Sequence, residues 1–285
     1  MNFVREQSLR EIIENAPKIY FRHFLKVVGP FFIFNAPIAY YVDWEGSKGG
    51  NPVADPAWLV GLALAMFAGI LSYPIILISL SDICLGNRSS LPRTLKRLGG
   101  ATLGKILATN LLQLFFIALT FLFLIIPIII GRLGGTLGKI LVTNHMQVFL
   151  TALALMFLIV PCIIAVIWMM FATPVVVLEG KWGMQAIRRS RSLGKGAYKK
   201  IFFTCLVLLC MIFVSSTLFG FIAGFAMAVL PFGLDAVAEG NRLLKIISSN
   251  LALPLMLIAI VLLYYDLRAK KEAYDRTALA QELMR

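Results

Sequence analysis

Residues 201–230 read IFFTCLVLLCMIFVSSTLFGFIAGFAMAVL, thirty positions without one charge. A helix needs about 20 apolar residues, rising about 1.5 Å each, to cross about 30 Å of hydrocarbon. The run therefore predicts a membrane-crossing helix, with Lys199 and Lys200 at its entrance. Working outward, comparable runs occupy about 24–42, 58–85, 106–131, 140–178 and 246–266. Composition agrees: 60% of residues are hydrophobic and 14% charged, against about 45–50% and 25% in soluble domains.

Lysine and arginine orient these runs, because cytoplasmic loops carry their excess. Segments 1–26, 86–105, 179–200 and 267–285 together hold 22 of them, and 43–57, 132–139 and 231–245 hold five. Alternating sides then gives six crossings with both termini cytoplasmic and an acidic outer loop containing Asp43, Glu45 and Asp55. The fold expected is an all-α integral membrane protein forming one polytopic domain over 1–285. An amphipathic interfacial helix spans 1–23, a bundle of about six helices 24–266, and a cytoplasmic C-terminal helix 267–285. An ordinary solvated lead-in helix is the alternative for the N-terminal segment. Glu6, Glu11 and Glu14 interrupt what would be the basic part of a signal peptide, so the N-terminus is expected to be retained.

The formal net charge of +13 lies between apolar runs, with no aromatic-interleaved basic surface. Nucleic acid is not an expected partner; anionic lipid headgroups are. Cys84, Cys162, Cys205 and Cys210 fall in or beside apolar segments without ligand-like pairing, and His23 and His145 are the only histidines. Neither a metal site nor another cofactor is expected.

The chain contains a tandem copy. RLGGATLGKILATNLLQLFFIALTFLFLIIPIII at 97–130 matches RLGGTLGKILVTNHMQVFLTALALMFLIVPCII at 132–164. Lys105 pairs with Lys139, Asn110 with Asn144, Gln113 with Gln147 and Pro127 with Pro161. By length, Pro161 should turn a hairpin within 140–178, giving seven apolar segments. By charge, that run should cross once as a long broken helix, and the six-crossing form is preferred.

Within each copy Asn110 and Gln113, or Asn144 and Gln147, share one helical face. Interhelical hydrogen bonding is the simple reading, and a polar substrate path the alternative. Small residues recur every fourth position at Gly61, Ala65 and Gly69 and at Ser216, Gly220, Gly224 and Ala228. Such ridges predict close helix packing, within the bundle or against a second copy or partner membrane protein. GGATLGK at 99–105 imitates a phosphate-binding loop, but Ile106 replaces the required Ser or Thr and no strand precedes it. Asp82, Glu179 and Asp266 stand near the inner ends of spans, where pairing with nearby arginines is expected. Arg188, Arg189, Arg191 and Lys195 form the densest basic stretch and are the candidate headgroup contacts.

PVVVLEGKWGMQAIRRSRSLGKGAYKK at 174–200 and LLYYDLRAKKEAYD at 262–275 resemble a bacterial inner-membrane family. It comprises the membrane domain of glycerophosphoryl diester phosphodiesterases and YciC-like proteins. The matching positions are Pro174, Glu179, Ala186, Arg189, Ser190, Leu193, Lys195 and Gly196, then Tyr265, Asp266, Leu267, Arg268, Lys271 and Glu272. The resemblance implies a six-helix bundle in the plasma membrane, tied loosely to envelope integrity or lipid metabolism. Two departures are the Pro-Gly turn, which reads Pro127-Ile128 and Pro161-Cys162 here, and the tandem copy. No catalytic constellation is present for the attached phosphodiesterase domain. A non-catalytic scaffold or lipid-homeostasis factor is therefore expected, with a transporter or channel for a small amphiphile as the alternative.

Overall fold

The structure, a computed structural model, describes residues 4–47, 55–85, 91–137, 163–229 and 234–284. The helices are α1 (Leu9–Arg22), α2 (Phe24–Gly46), α3 (Pro56–Leu85), α4 (Leu91–Leu98) and α5 (Gly100–Leu137). They continue as α6 (Ile163–Glu179), α7 (Met184–Gly194), α8 (Tyr198–Val229), α9 (Leu234–Glu272) and α10 (Arg276–Met284). No strand occurs among the described residues. Among the described residues five helices, α2, α3, α5, α8 and α9, contain stretches long and apolar enough to cross a membrane, and α6 with α7 makes a sixth candidate bent by 114°.

Two ionic layers bracket the apolar part. At one end Asp43 of α2 accepts from Lys245 (2.6 Å) and Arg242 (3.2 Å) of α9. At the other, Lys200 of α8 meets Asp266 of α9 at 2.5 Å. Lys245 and Asp266 are 21 residues apart on one helix, which is about 32 Å of rise, close to the hydrocarbon thickness.

The core lies toward the second of these ends. On α9, Ile258, Val261, Leu262, Leu263, Tyr264 and Tyr265 are completely buried, and on α3 Ile75, Ile76, Leu77 and Leu80 are within 1% of it. A helix buried on every side is enclosed by neighbours instead of facing lipid or water. Tyr265 and Ser81 join α9 to α3 through their hydroxyls at 2.6 Å. By contrast α8 presents Phe213 and Phe221, both more than 70% exposed. That is the composition expected of a lipid-facing surface.

The N-terminal helix differs from expectation in what covers it. Ser8 caps α1: its hydroxyl accepts from the Glu11 N–H (3.2 Å) while the Glu11 carboxylate accepts from the Ser8 N–H (2.7 Å). The apolar face so positioned, Ile12, Ala16, Ile19 and Tyr20, is buried, and α1 packs on α9 and α8. Tyr20 donates to the Leu251 carbonyl of α9 at 2.9 Å. Protein, and not lipid, covers this face.

Helix ends also move. α2, α3 and α9 continue through Pro30, Pro37, Pro74 and Pro254. α5 runs past the expected end near 131 to Leu137. α9 begins at Leu234 instead of about 246 and absorbs 267–272, so the separate tail helix starts only at Arg276. The small-residue ridges divide. A Cβ on Gly61 would sit 2.8 Å from the Tyr41 ring of α2, so that glycine does permit close approach. Ala65 lines a cleft between α2, α3 and α9. Among the described residues Gly69, Gly220 and Gly224 have nothing within 4 Å of such a Cβ, so these positions, with half-buried Ser216 on the same ridge, mark no tight helix crossing there. Most of the second tandem copy, including Asn144, Gln147 and Pro161, lies outside the described residues, as does the choice between hairpin and broken helix over 138–162.

Candidate functional site

The three acidic residues expected near span ends are each paired. Asp82 accepts from Arg97 (2.7 Å), Asp266 from Lys200 and from the Gln7 N–H (2.8 Å), and Glu179 from Arg189 (2.8 Å) and Lys181 (3.0 Å). Pairing offsets the cost of taking a carboxylate out of water. Lys200 also donates to the Gln7 carbonyl, fastening the segment ahead of α1 to the α8–α9 junction.

Glu179 owes its place to local backbone chemistry. Val175–Glu179 winds as a π-turn at the end of α6, within a β-branched run that restricts side-chain rotamers. Gly180 ends it at φ +70°, a left-handed conformation natural to glycine. The chain then turns by 114° into α7. This corner turns the Glu179 carboxylate inward, with 6% of the side chain exposed, onto α9.

There it joins a network built around Arg268. The guanidinium donates two bonds to Glu282 of α10, both 2.9 Å, and one to Glu272 at 3.1 Å. It lies 3.6 Å above the Tyr274 ring and donates to the Tyr264 hydroxyl at 3.2 Å. Tyr264 in turn donates to Glu179 (3.2 Å), and Arg189 bridges Glu179 to Glu272. A planar fork serves such a site because it can address a carboxylate bidentately and stack on a ring at once. The result ties α6, α7, α9 and α10 together.

Tyr274 closes the network by donating to Glu282 at 2.6 Å. Burial first, then the bond to Glu282, raises its phenol above the ordinary value of 10.0. A raised acid contributes stability that is complete below the unfolded value and is lost as pH climbs through the folded one. Thermal stability in detergent should therefore stay level to about pH 10 and decline above it. In Tyr274→Phe the part of that decline due to this residue should be gone; an identical alkaline profile in the variant would refute the assignment.

Beside the network lies a cleft of about 480 Å³ lined by Thr102 and Lys105 of α5, the 176–181 corner, Arg189, Arg268 and Glu282. Lys105 came from the GGATLGK segment, where Gly99 (φ +40°) merely separates α4 from α5.

The headgroup candidates are not equivalent. Arg188, Arg191 and Lys195 are exposed along α7 and its end. Arg191 stacks over Trp168 at 4.0 Å. Arg189 is instead consumed by Glu179 and Glu272, because it lies on the helix face turned toward α6 and α9. Of the polar pair in the first copy, Asn110 donates to the Ile106 carbonyl of its own helix (2.9 Å) and Gln113 to the Met169 carbonyl of α6 (2.7 Å). Both act as structural hydrogen-bonding groups, and neither lines the cleft beside Glu179 nor the one between α2, α3 and α9.

Tyr274 and Glu282 were not foreseen, and Glu272 entered only as a position of the family resemblance. Arg268 and Glu272 at i and i+4 were a readable signal; Glu282 gave none, because its partner depends on how α10 folds back. A family profile described as Domain of unknown function (DUF8558) matches residues 89–284. The chain belongs to this family. No curated protein and no solved structure matches it. The DUF8558 region spans α4 to α10 and so holds every member of the Glu179–Arg268–Glu282 network. Asp82 and Gln7, the partners of Arg97 and Lys200, lie N-terminal to it. Within DUF8558 the network is thus self-contained, whereas the other two pairs join it to α1–α3.

Proposed function

We propose that the chain is a non-catalytic protein of a bacterial plasma membrane, with both termini cytoplasmic. On this reading it serves as a scaffold or lipid-homeostasis factor that gathers anionic lipid headgroups. The observation carrying this reading is the attitude of α7. The helix turns 114° from α6, buries Ala186, Ser190, Leu193 and Gly194, and leaves Arg188, Arg191 and Lys195 exposed near exposed Trp182 and Met184. A short basic helix lying across the end of a bundle, flanked by tryptophan, suits a membrane–water interface. The inner carboxylates support a non-catalytic role, since Glu179, Asp266 and Asp82 each serve a cation on a neighbouring element.

Each cation near an anionic surface is worth about 1 kcal/mol. Replacing Arg188, Arg191 and Lys195 together by Gln should therefore abolish most of the preference for anionic lipid. The preference can be read in nanodiscs as quenching of tryptophan fluorescence by brominated phosphatidylglycerol relative to brominated phosphatidylcholine. Added salt should weaken the wild-type preference in the same direction. An undiminished preference in the triple variant would sink the proposal.

A further inference from the structure

The charges lining the cleft beside Glu179 do not cancel. Four cations, Lys105, Lys181, Arg189 and Arg268, face two carboxylates, Glu179 and Glu282, and a third, Glu272, pairs with Arg189 and Arg268, which leaves a surplus of one positive charge. Three of the cations are held by those carboxylates and by Glu272. Lys105 is half-buried and makes no hydrogen bond or ion pair with its side chain among the described residues. Thr102, three residues earlier and so on the same face of α5, likewise leaves its hydroxyl unused there. Across the cleft, Gly180 has open space where a Cβ would stand, so a ligand can approach the backbone closely.

We propose that this cleft binds a phosphate-bearing anion, with Lys105 Nζ as its principal counter-charge and the Thr102 hydroxyl as a second donor. Geometry favours phosphate over a simple carboxylate: its tetrahedral oxygens can accept from α5 on one side and from Lys181 on the other. The Arg268–Glu282 and Arg189–Glu179 pairs form the wall and hold the corner rigid; they are not spent on the ligand. Lysine is well suited here, as a mobile point charge can reach an anion entering at varied depth.

The phosphate could arrive on a lipid headgroup or free in solution, and only the first source rests on the headgroup reading above. The full chain in phosphatidylcholine nanodiscs would be titrated with inorganic phosphate, and separately assembled in nanodiscs containing phosphatidic acid, with thermal unfolding as readout. Stabilisation of the wild type is expected in at least one arm. Lys105→Gln should reduce the apparent affinity by about tenfold or more, Lys105→Arg should retain it, and Thr102→Val should weaken it. The triple α7 variant should keep the Lys105-dependent gain even where it has lost general anionic-lipid preference, which separates this site from the α7 surface. Because Lys105 has no side-chain partner among the described residues, the unliganded stability of Lys105→Gln should equal that of the wild type. Absence of stabilisation in both arms, or a Lys105→Gln response equal to the wild type, would overturn the proposal.

Discussion

Arg268→Met should lower the stability of the detergent-solubilised protein by about 3–5 kcal/mol, the range for removing one partner from a buried ionic pair. The side chain is 8% exposed and serves Glu272, Glu282 and Tyr264 while lying over Tyr274. Methionine fills similar space but, among the described residues, leaves Glu282 holding only the Tyr274 hydroxyl and Glu272 only Arg189. Two under-compensated carboxylates would then sit where water enters poorly. The loss should concentrate on α10, since the bidentate bond to Glu282 and the Tyr274 contact are its polar attachments to this network. Denaturation curves should shift, and hydrogen exchange over 276–284 should accelerate while the half of α9 ahead of Pro254 is unchanged. Glu282→Gln should cost less, because Gln can still accept from Arg268. A change under about 1 kcal/mol for Arg268→Met, the scale of an exposed pair, would show that the network is solvated and not a structural brace.

Lys200→Met should be comparably damaging, by about 3–5 kcal/mol, for a different reason. Asp266 has 2% of its side chain exposed and accepts from Lys200 and from the Gln7 N–H. Without Lys200 a single amide is left for a buried carboxylate, and the Gln7 carbonyl loses a donor as well. The protein would respond by releasing the segment before α1. Protease sensitivity near Arg5 and Arg10 should therefore rise together with the loss of stability. Adding Asp266→Asn should restore much of it, since a neutral amide oxygen still accepts from Gln7 without a buried charge. The double variant being as unstable as the sum of the two singles would contradict the pairwise account.

The two variants mark the border between what was readable and what was not. Asp82, Glu179 and Asp266 stand at apolar-run boundaries near basic residues, and a carboxylate in that position is driven to pair. That much follows from local order along the chain. Which cation each takes does not: Arg97 and Arg189 lie 15 and 10 residues away from their partners, but Lys200 reaches Asp266 across 66 residues and Arg268 links to Glu179 at 3.9 Å across 89. Arg189 shows the same limit from the other side. Beside Arg188 and Arg191 it reads as one more surface cation, and only the packing of α7 against α6 and α9 turns it inward.

The run at 201–230, by its length and lack of charge, already required a helix crossing lipid, because no other backbone state satisfies its own peptide groups there. α8, over Tyr198–Val229, is that helix, and its exposed phenylalanines are consistent with such a surface. The same local rule determined the helical class and the alternation of apolar runs with basic and poor connections. What covers each face was decided by tertiary structure alone. α1 has the pattern of an interfacial helix yet packs on α9, and the 267–285 segment splits so that α10 folds back to place Glu282 on Arg268. Hydropathy reports only that a face must leave water. Lipid and a neighbouring helix satisfy that demand about equally, and the choice depends on residues far away in the chain.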